Sequence, residues 1–172
     1  NFWNVVSYLL QDGEIFNEAD YRIDYVKKFK SNVIKNEMEF VRPRPILMMR
    51  KNRIFMLYKK FAKQVGDTAL PPESLKFYLE NSKEYLGVKN SVRFKNIQNG
   101  VEITKRVDIG EGRTEYRKTS TPEQAMCFDY EMIMDSYNIN LEIDTDSGDS
   151  DNEGIRDTKE ETLPPVQKKF SF

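Results

Sequence analysis

The sequence predicts a small mixed α+β domain with antiparallel hairpins and two to three helices, followed by a disordered acidic tail. Three observations carry that expectation. Apolar residues recur at helical spacing in two stretches, they alternate or form short blocks between turn residues in several others, and beyond Leu141 apolar content falls while acids accumulate. At 172 residues, 32% charged and 38% hydrophobic, the chain is long enough for one domain with a real core. The expected division is a folded domain over 1–141 and a tail over 142–172.

Phe2, Trp3, Val6, Leu9 and Leu10 fall on one helical face, and Gly13 stands where a C-cap glycine would end the helix. Tyr21, Ile23 and Tyr25 alternate with Arg22, Asp24 and Val26, the period of a half-buried strand running into Lys27, Lys28 and Lys30. The polar stretch 31–39 reads as a loop. The blocks Ile46–Arg50 and Arg53–Tyr58, separated by Lys51-Asn52, read as a hairpin, with Pro43 and Pro45 placing the start of its first strand at a sheet edge. Pro72 suits a first helical position ahead of Leu75, Tyr78, Leu79, Ser82 and Leu86, with Gly87 closing that helix.

Val92 and Phe94 begin a strand, and Asn99-Gly100 turns it into a partner containing Val101 and Ile103. Helix, short connection and hairpin in that order is also how a winged-helix module finishes. After the turn-like Ile-Gly-Glu-Gly-Arg stretch and a strand at 115–118, Thr121-Pro122-Glu123-Gln124 has capping-box spacing, with Thr121 as N-cap. For 125–137 two readings stand: one helix, or a short buried strand at Met126-Cys127-Phe128 before a helix. Residues 142–161 hold nine acids and, as bases, only Arg156 and Lys159, too little apolar content to offset the entropy of ordering.

Composition also excludes function classes. The chain has no histidine, which removes histidine-based acid–base pairs, nucleophilic triads and zinc motifs. No phosphate-cradling glycine motif is present, and the close pair Gly110 and Gly112 flanks an acid that would repel phosphate. No catalytic residues, cofactor or metal are therefore expected. The lone Cys127 cannot form an internal disulfide and sits without a basic neighbour, so a buried structural thiol in a cytoplasmic protein is expected. No apolar run approaches the ~20 residues that span a bilayer, so no membrane partner is expected. The opening lacks a signal-peptide pattern and Met, and reads as part of a longer chain.

Charge is divided unevenly: residues 1–141 hold 23 Lys+Arg against 19 Asp+Glu, whereas 142–172 hold 4 against 9. Residues 40–66 contain Arg42, Arg44, Arg50, Lys51, Arg53, Lys59, Lys60 and Lys63 and no acid, interleaved with Phe40, Phe55, Tyr58 and Phe61. Cations that neutralise phosphates beside aromatics on which bases stack are the pairing that nucleic-acid surfaces use. The candidate interface is accordingly Arg42, Arg44, Arg50, Lys51, Arg53, Tyr58, Lys59, Lys60, Phe61 and Lys63, with nucleic acid, and DNA in particular, as partner. The plainer alternative is a solvated hairpin whose aromatics face the core. The acids near Asp129 and near Glu111 read as ordinary surface carboxylates, and Met48, Met49, Met56, Met126, Met132 and Met134 as core filler.

The stretch Leu70-Pro71-Pro72-Glu73-Ser74-Leu75-Lys76-Phe77-Tyr78-Leu79-Glu80-Asn81-Ser82-Lys83-Glu84-Tyr85-Leu86-Gly87, followed by Ser91-Val92-Arg93-Phe94, resembles the region after the ATPase in primase-helicase proteins of bacterial mobile elements, of the virulence-associated-E type. The Phe2-Trp3 helix and Phe128-Asp129-Tyr130 are also similar, extending the resemblance over 2–141. It implies a domain that helps a replication protein engage DNA or its partners. The family's motifs for nucleotide hydrolysis and primer synthesis are absent, so neither activity carries over. A tail rich in acid and ending in Phe172 is similar in outline to tails that recruit replication partners, although Lys168 and Lys169 interrupt it; a flexible polyanion can also compete with nucleic acid for a basic surface.

Overall fold

The computed structural model describes residues 2–142. The tail expectations, disorder, partner recruitment and competition alike, fall almost wholly on residues outside that range. Helix α1 spans Phe2–Gln11, and strands β1 (Tyr21–Phe29) and β2 (Met38–Arg50) follow. Then come α2 (Lys51–Phe61) with a 3₁₀ turn at Ala62–Val65, α3 (Pro72–Glu80) and β3 (Tyr85–Lys95). Two short strands, β4 (Ile97–Gln98) and β5 (Val101–Glu102), precede β6 (Thr104–Gly110), β7 (Arg113–Lys118), β8 (Ser120–Asp129) and α4 (Tyr130–Tyr137). The class is α+β, with four α-helices rather than two or three. No described helix is long and apolar enough to cross a membrane.

The main sheet is antiparallel in the order β1-β2-β8-β3. One face carries Tyr21, Leu47, Met49, Met126 and Phe128, against which α1, α2 and α4 bury Trp3, Val6, Ile54, Leu57 and Ile133. The opposite face buries Phe29, Ile46, Met48, Val92, Phe94, Ala125 and Cys127 in a second cluster. Two contacts tie the β1 edge to the β3 edge at one end. Arg22 on β1 donates to the Arg93 carbonyl on β3 (3.0 Å), and the Lys95 N–H donates to the Glu18 carbonyl (2.7 Å). The thiol of Cys127 lies inside this cluster, where burial pushes its pKa up to about 12.

The prolines mark where the sheet frays. β2 pairs with β8 only from Ile46 to Arg50, so Pro45 has β1 on one side and no strand on the other, while Pro43 falls where the β1–β2 register shifts and has no ladder partner. Pro122 lies in the part of β8 that pairs with β3 before β2 joins at Ala125. A residue with no N–H is tolerated where no ladder is waiting for it.

Several expected elements are corrected. The hairpin over Ile46–Tyr58 is a strand followed by a helix. Ile54, Leu57, Tyr58 and Phe61 are buried at i, i+3, i+4 and i+7, so the helical period holds over a longer window than the six apolar residues alone show. The third helix stops at Glu80, and Gly87 belongs to β3. Its φ of +106° favours glycine, and a Cβ there would stand 2.5–2.8 Å from side-chain atoms of Ser31, Asn32 and Val33 in the β1–β2 loop, which would have to move aside. The 31–39 loop is shorter, because Met38 and Glu39 already belong to β2. Thr121 caps no helix; it lies in β8 and its hydroxyl bonds Asn96 (2.9 Å). Of the two readings for 125–137, strand then helix is correct, with Asp129 as the N-cap accepting from the Met132 N–H (3.3 Å). The Asn99-Gly100 turn forms, but joins only β4 to β5, while β3 pairs with β8; the winged-helix ending is not built.

Candidate nucleic-acid interface

The segment 40–66 splits into three kinds of residue. Its aromatics Tyr58 and Phe61 are 2% and 4% exposed, so the expectation that they stack on bases is corrected: both are core. Tyr58 packs on Phe2, and its hydroxyl oxygen accepts from the Leu70 N–H (3.1 Å). Phe61 packs on Tyr8.

Its arginines are held by carboxylates that lie far away in sequence. Arg50 grips Glu123 with two nitrogens at 2.7 and 2.8 Å, across the β2–β8 pair. This bond lowers the Glu123 carboxyl below its ordinary pKa of 4.5 and raises that of Arg50. Arg53 donates to the buried Asp20 (3.2 Å), Arg44 to Asp129 (2.6 Å) and Glu131 (3.3 Å), and Arg42 to Glu131 (3.1 Å). Asp129 and Glu131 thus serve as anchors for arginines. A guanidinium engaged in this way has its charge balanced before any phosphate arrives.

The lysines are the remainder. Lys51 is half-buried, while Lys59, Lys60 and Lys63 are exposed on the end of α2 and the following turn. Met56 is also turned outward, 53% exposed, against the expectation that it fills the core.

Between the start of α2 and the base of β6–β7 lies a cleft of about 900 Å³, whose lining includes Glu14, Asp20, Arg50, Arg53, Asn96 and Glu123. Carboxylates balance its arginines, so it holds no excess of positive charge for a polyanion.

A second basic region was not singled out from sequence. Strands β6 and β7 form a separate two-stranded ribbon whose extensive contacts are only with each other. It turns at Gly110, Glu111 and Gly112, all with positive φ. A small polar hub fixes its base. The Ile103 N–H donates to the Asn96 carbonyl (2.7 Å), the Asn96 N–H to the Thr119 carbonyl (3.2 Å) and the Thr119 N–H to the Ile103 carbonyl (3.1 Å).

The ribbon carries Lys105, Arg106, Arg113, Arg117 and Lys118 against Asp108, Glu111 and Glu115. Tyr116 is 72% exposed and stands across from Arg106, with Lys118 two residues along the same face. Lys105 faces Arg117 directly across the strands. Like charges so placed destabilise a ribbon by roughly 0.2–1 kcal/mol. Glu115 bonds Arg117, and Lys118 reaches Glu102 at 3.1 Å, but Lys105 and Arg106 have no ion pair among the described residues. The sequence signal for this ribbon is negative: neither face of 104–118 has a run of alternating apolar residues, so neither can be facing a core.

No family model, no curated protein and no solved structure matches this chain.

Proposed function

We propose that the chain is a non-catalytic nucleic-acid-binding accessory domain of a replication protein of the primase-helicase kind, and that it binds mainly through the β6–β7 ribbon. One observation carries this reading. The ribbon is the place where cations and an exposed aromatic stand together with no core behind them. Tyr116 offers a stacking surface to an unpaired base on an open face of the ribbon. Lys105 makes no ion pair among the described residues, and Arg113, Arg117 and Lys118 are 61–75% exposed in theirs, so unlike the half-buried Arg44, Arg50 and Arg53 they can exchange a carboxylate for a phosphate. Lys59, Lys60 and Lys63 on α2 and its turn add an auxiliary field. The resemblance of 70–94 to primase-helicase proteins agrees in kind with such a role.

Exposed Ile109 on the ribbon (49%), with exposed Val101 (70%) on the preceding β5, favours a second reading in which this ribbon docks an acidic protein surface. Titration with a random oligonucleotide at several salt concentrations separates the two. Changing Lys105, Arg113, Arg117 and Lys118 to Gln together is expected to weaken oligonucleotide binding and flatten the slope of log K against log salt by about 3–4, from 0.7–0.9 per phosphate contact. An unchanged slope in a folded variant refutes the ribbon as the interface.

A further inference from the structure

The ribbon has a second property, independent of nucleic acid. A two-stranded hairpin with no layer against it is marginal in water, and both of its edges present unpaired backbone groups. Among the described residues no element packs extensively on β6 or β7, and the hub and the Lys118–Glu102 pair hold their base. We propose that the free edge of β6 pairs antiparallel with the β6 edge of a second copy, about a two-fold axis through Val107, making a four-stranded sheet shared between two chains.

The charges of β6 select that register. Along one edge, alternate residues turn their N–H and C=O outward, so an antiparallel two-fold must pass through a residue and not between two. With the axis at Arg106 or at Lys105, that cation opposes its own copy; with the axis at Asp108, two carboxylates meet. At Val107 the two valines face one another, and Arg106 of each chain lies opposite Asp108 of the other, twice over by symmetry. Both groups are available for this, since Asp108 accepts a hydrogen bond from the Gly110 N–H (2.8 Å) but, like Arg106, makes no ion pair among the described residues. The edge of β7 is less suited, because Arg117 is already joined to Glu115, and Lys118 to Glu102. Pairing β6 with β6 uses that edge in both chains, so this contact closes on itself. Edge pairing lies in the plane of the sheet, so both faces of the ribbon stay open.

Sedimentation equilibrium of the full chain without nucleic acid tests this. The unaltered chain is expected to show a concentration-dependent doubling of mass. Arg106→Asp and Asp108→Arg should each be monomeric, because each places like charges in opposition. Mixing the two variants should restore the dimer as a heterodimer, since the acidic strand of one then faces the basic strand of the other. Combining both changes in one chain should restore the homodimer. A monomeric unaltered chain, a dimer indifferent to both single changes, or monomers that fail to combine on mixing each overturns the proposal. Because no oligonucleotide is present, failure here is distinct from failure of the nucleic-acid reading.

Discussion

Segment 40–66 and ribbon 104–118 both set cations beside aromatic side chains, four in the first and Tyr116 alone in the second, and the fold uses them in opposite ways. In the first, the aromatics at 58 and 61 lie against α1 and the arginines are clasped by Asp20, Glu123, Asp129 and Glu131. In the second, no core lies behind the strands and Tyr116 stands in solvent. The difference is whether an apolar surface is available nearby. Where one exists, aromatic burial contributes more than any surface role and the charges settle around it; where none exists, every side chain stays outside.

The largest test of this contrast is aromatic truncation. Tyr58→Ala or Phe61→Ala should cost about 3–5 kcal/mol of stability, measured by denaturant unfolding, because each leaves a cavity in the main core. Tyr116→Ala should leave the unfolding midpoint nearly unchanged and instead weaken oligonucleotide affinity by about 1–3 kcal/mol. Equal stability losses at the two sites would erase the distinction.

Arginine removal is next in size. Arg50→Gln should destabilise the fold by about 1–3 kcal/mol, since it leaves Glu123 without its charged partner. The pair also gives a pH signature. The folded-state pKa of Glu123 is depressed, so its contribution is fully present above its unfolded value near 4.5 and is lost as pH falls through the lower folded value. Glu123→Gln should therefore flatten the fall of stability with acid below about pH 4.5, relative to the unaltered chain. Changing Arg42, Arg44, Arg50, Lys51 and Arg53 to Gln together should lower stability more than it lowers oligonucleotide binding. The reverse result would return the interface to this segment.

The smallest effect is expected from Lys59, Lys60 and Lys63. Their joint change to Gln should leave stability within about 0.5 kcal/mol and reduce oligonucleotide affinity less than the ribbon variant does. A larger reduction would move the centre of the interface onto α2.

Local chemistry determined a good part of this protein. The α1 face, a strand at β1, Pro72 at the first turn of α3, the Asn99-Gly100 turn and the burial of Cys127 all follow from spacing and residue type within a few positions. The alternation expected along β1 does not hold, since Tyr25 is 60% exposed and Arg22 and Asp24 are as covered as Ile23. The α+β class follows with them. What the tertiary structure alone decided is partnership over long sequence separations. The helix over 51–61 is legible in the i, i+3, i+4, i+7 spacing of Ile54, Leu57, Tyr58 and Phe61, but whether Thr121 caps a helix turned on β3 and β2 claiming the residues around it as ladder partners. The candidate interface shifted for the same reason. The cations of 40–66 are legible in the sequence, but the acids that neutralise four of its arginines come from positions 20, 123, 129 and 131, and charge balance is a property of distance in space.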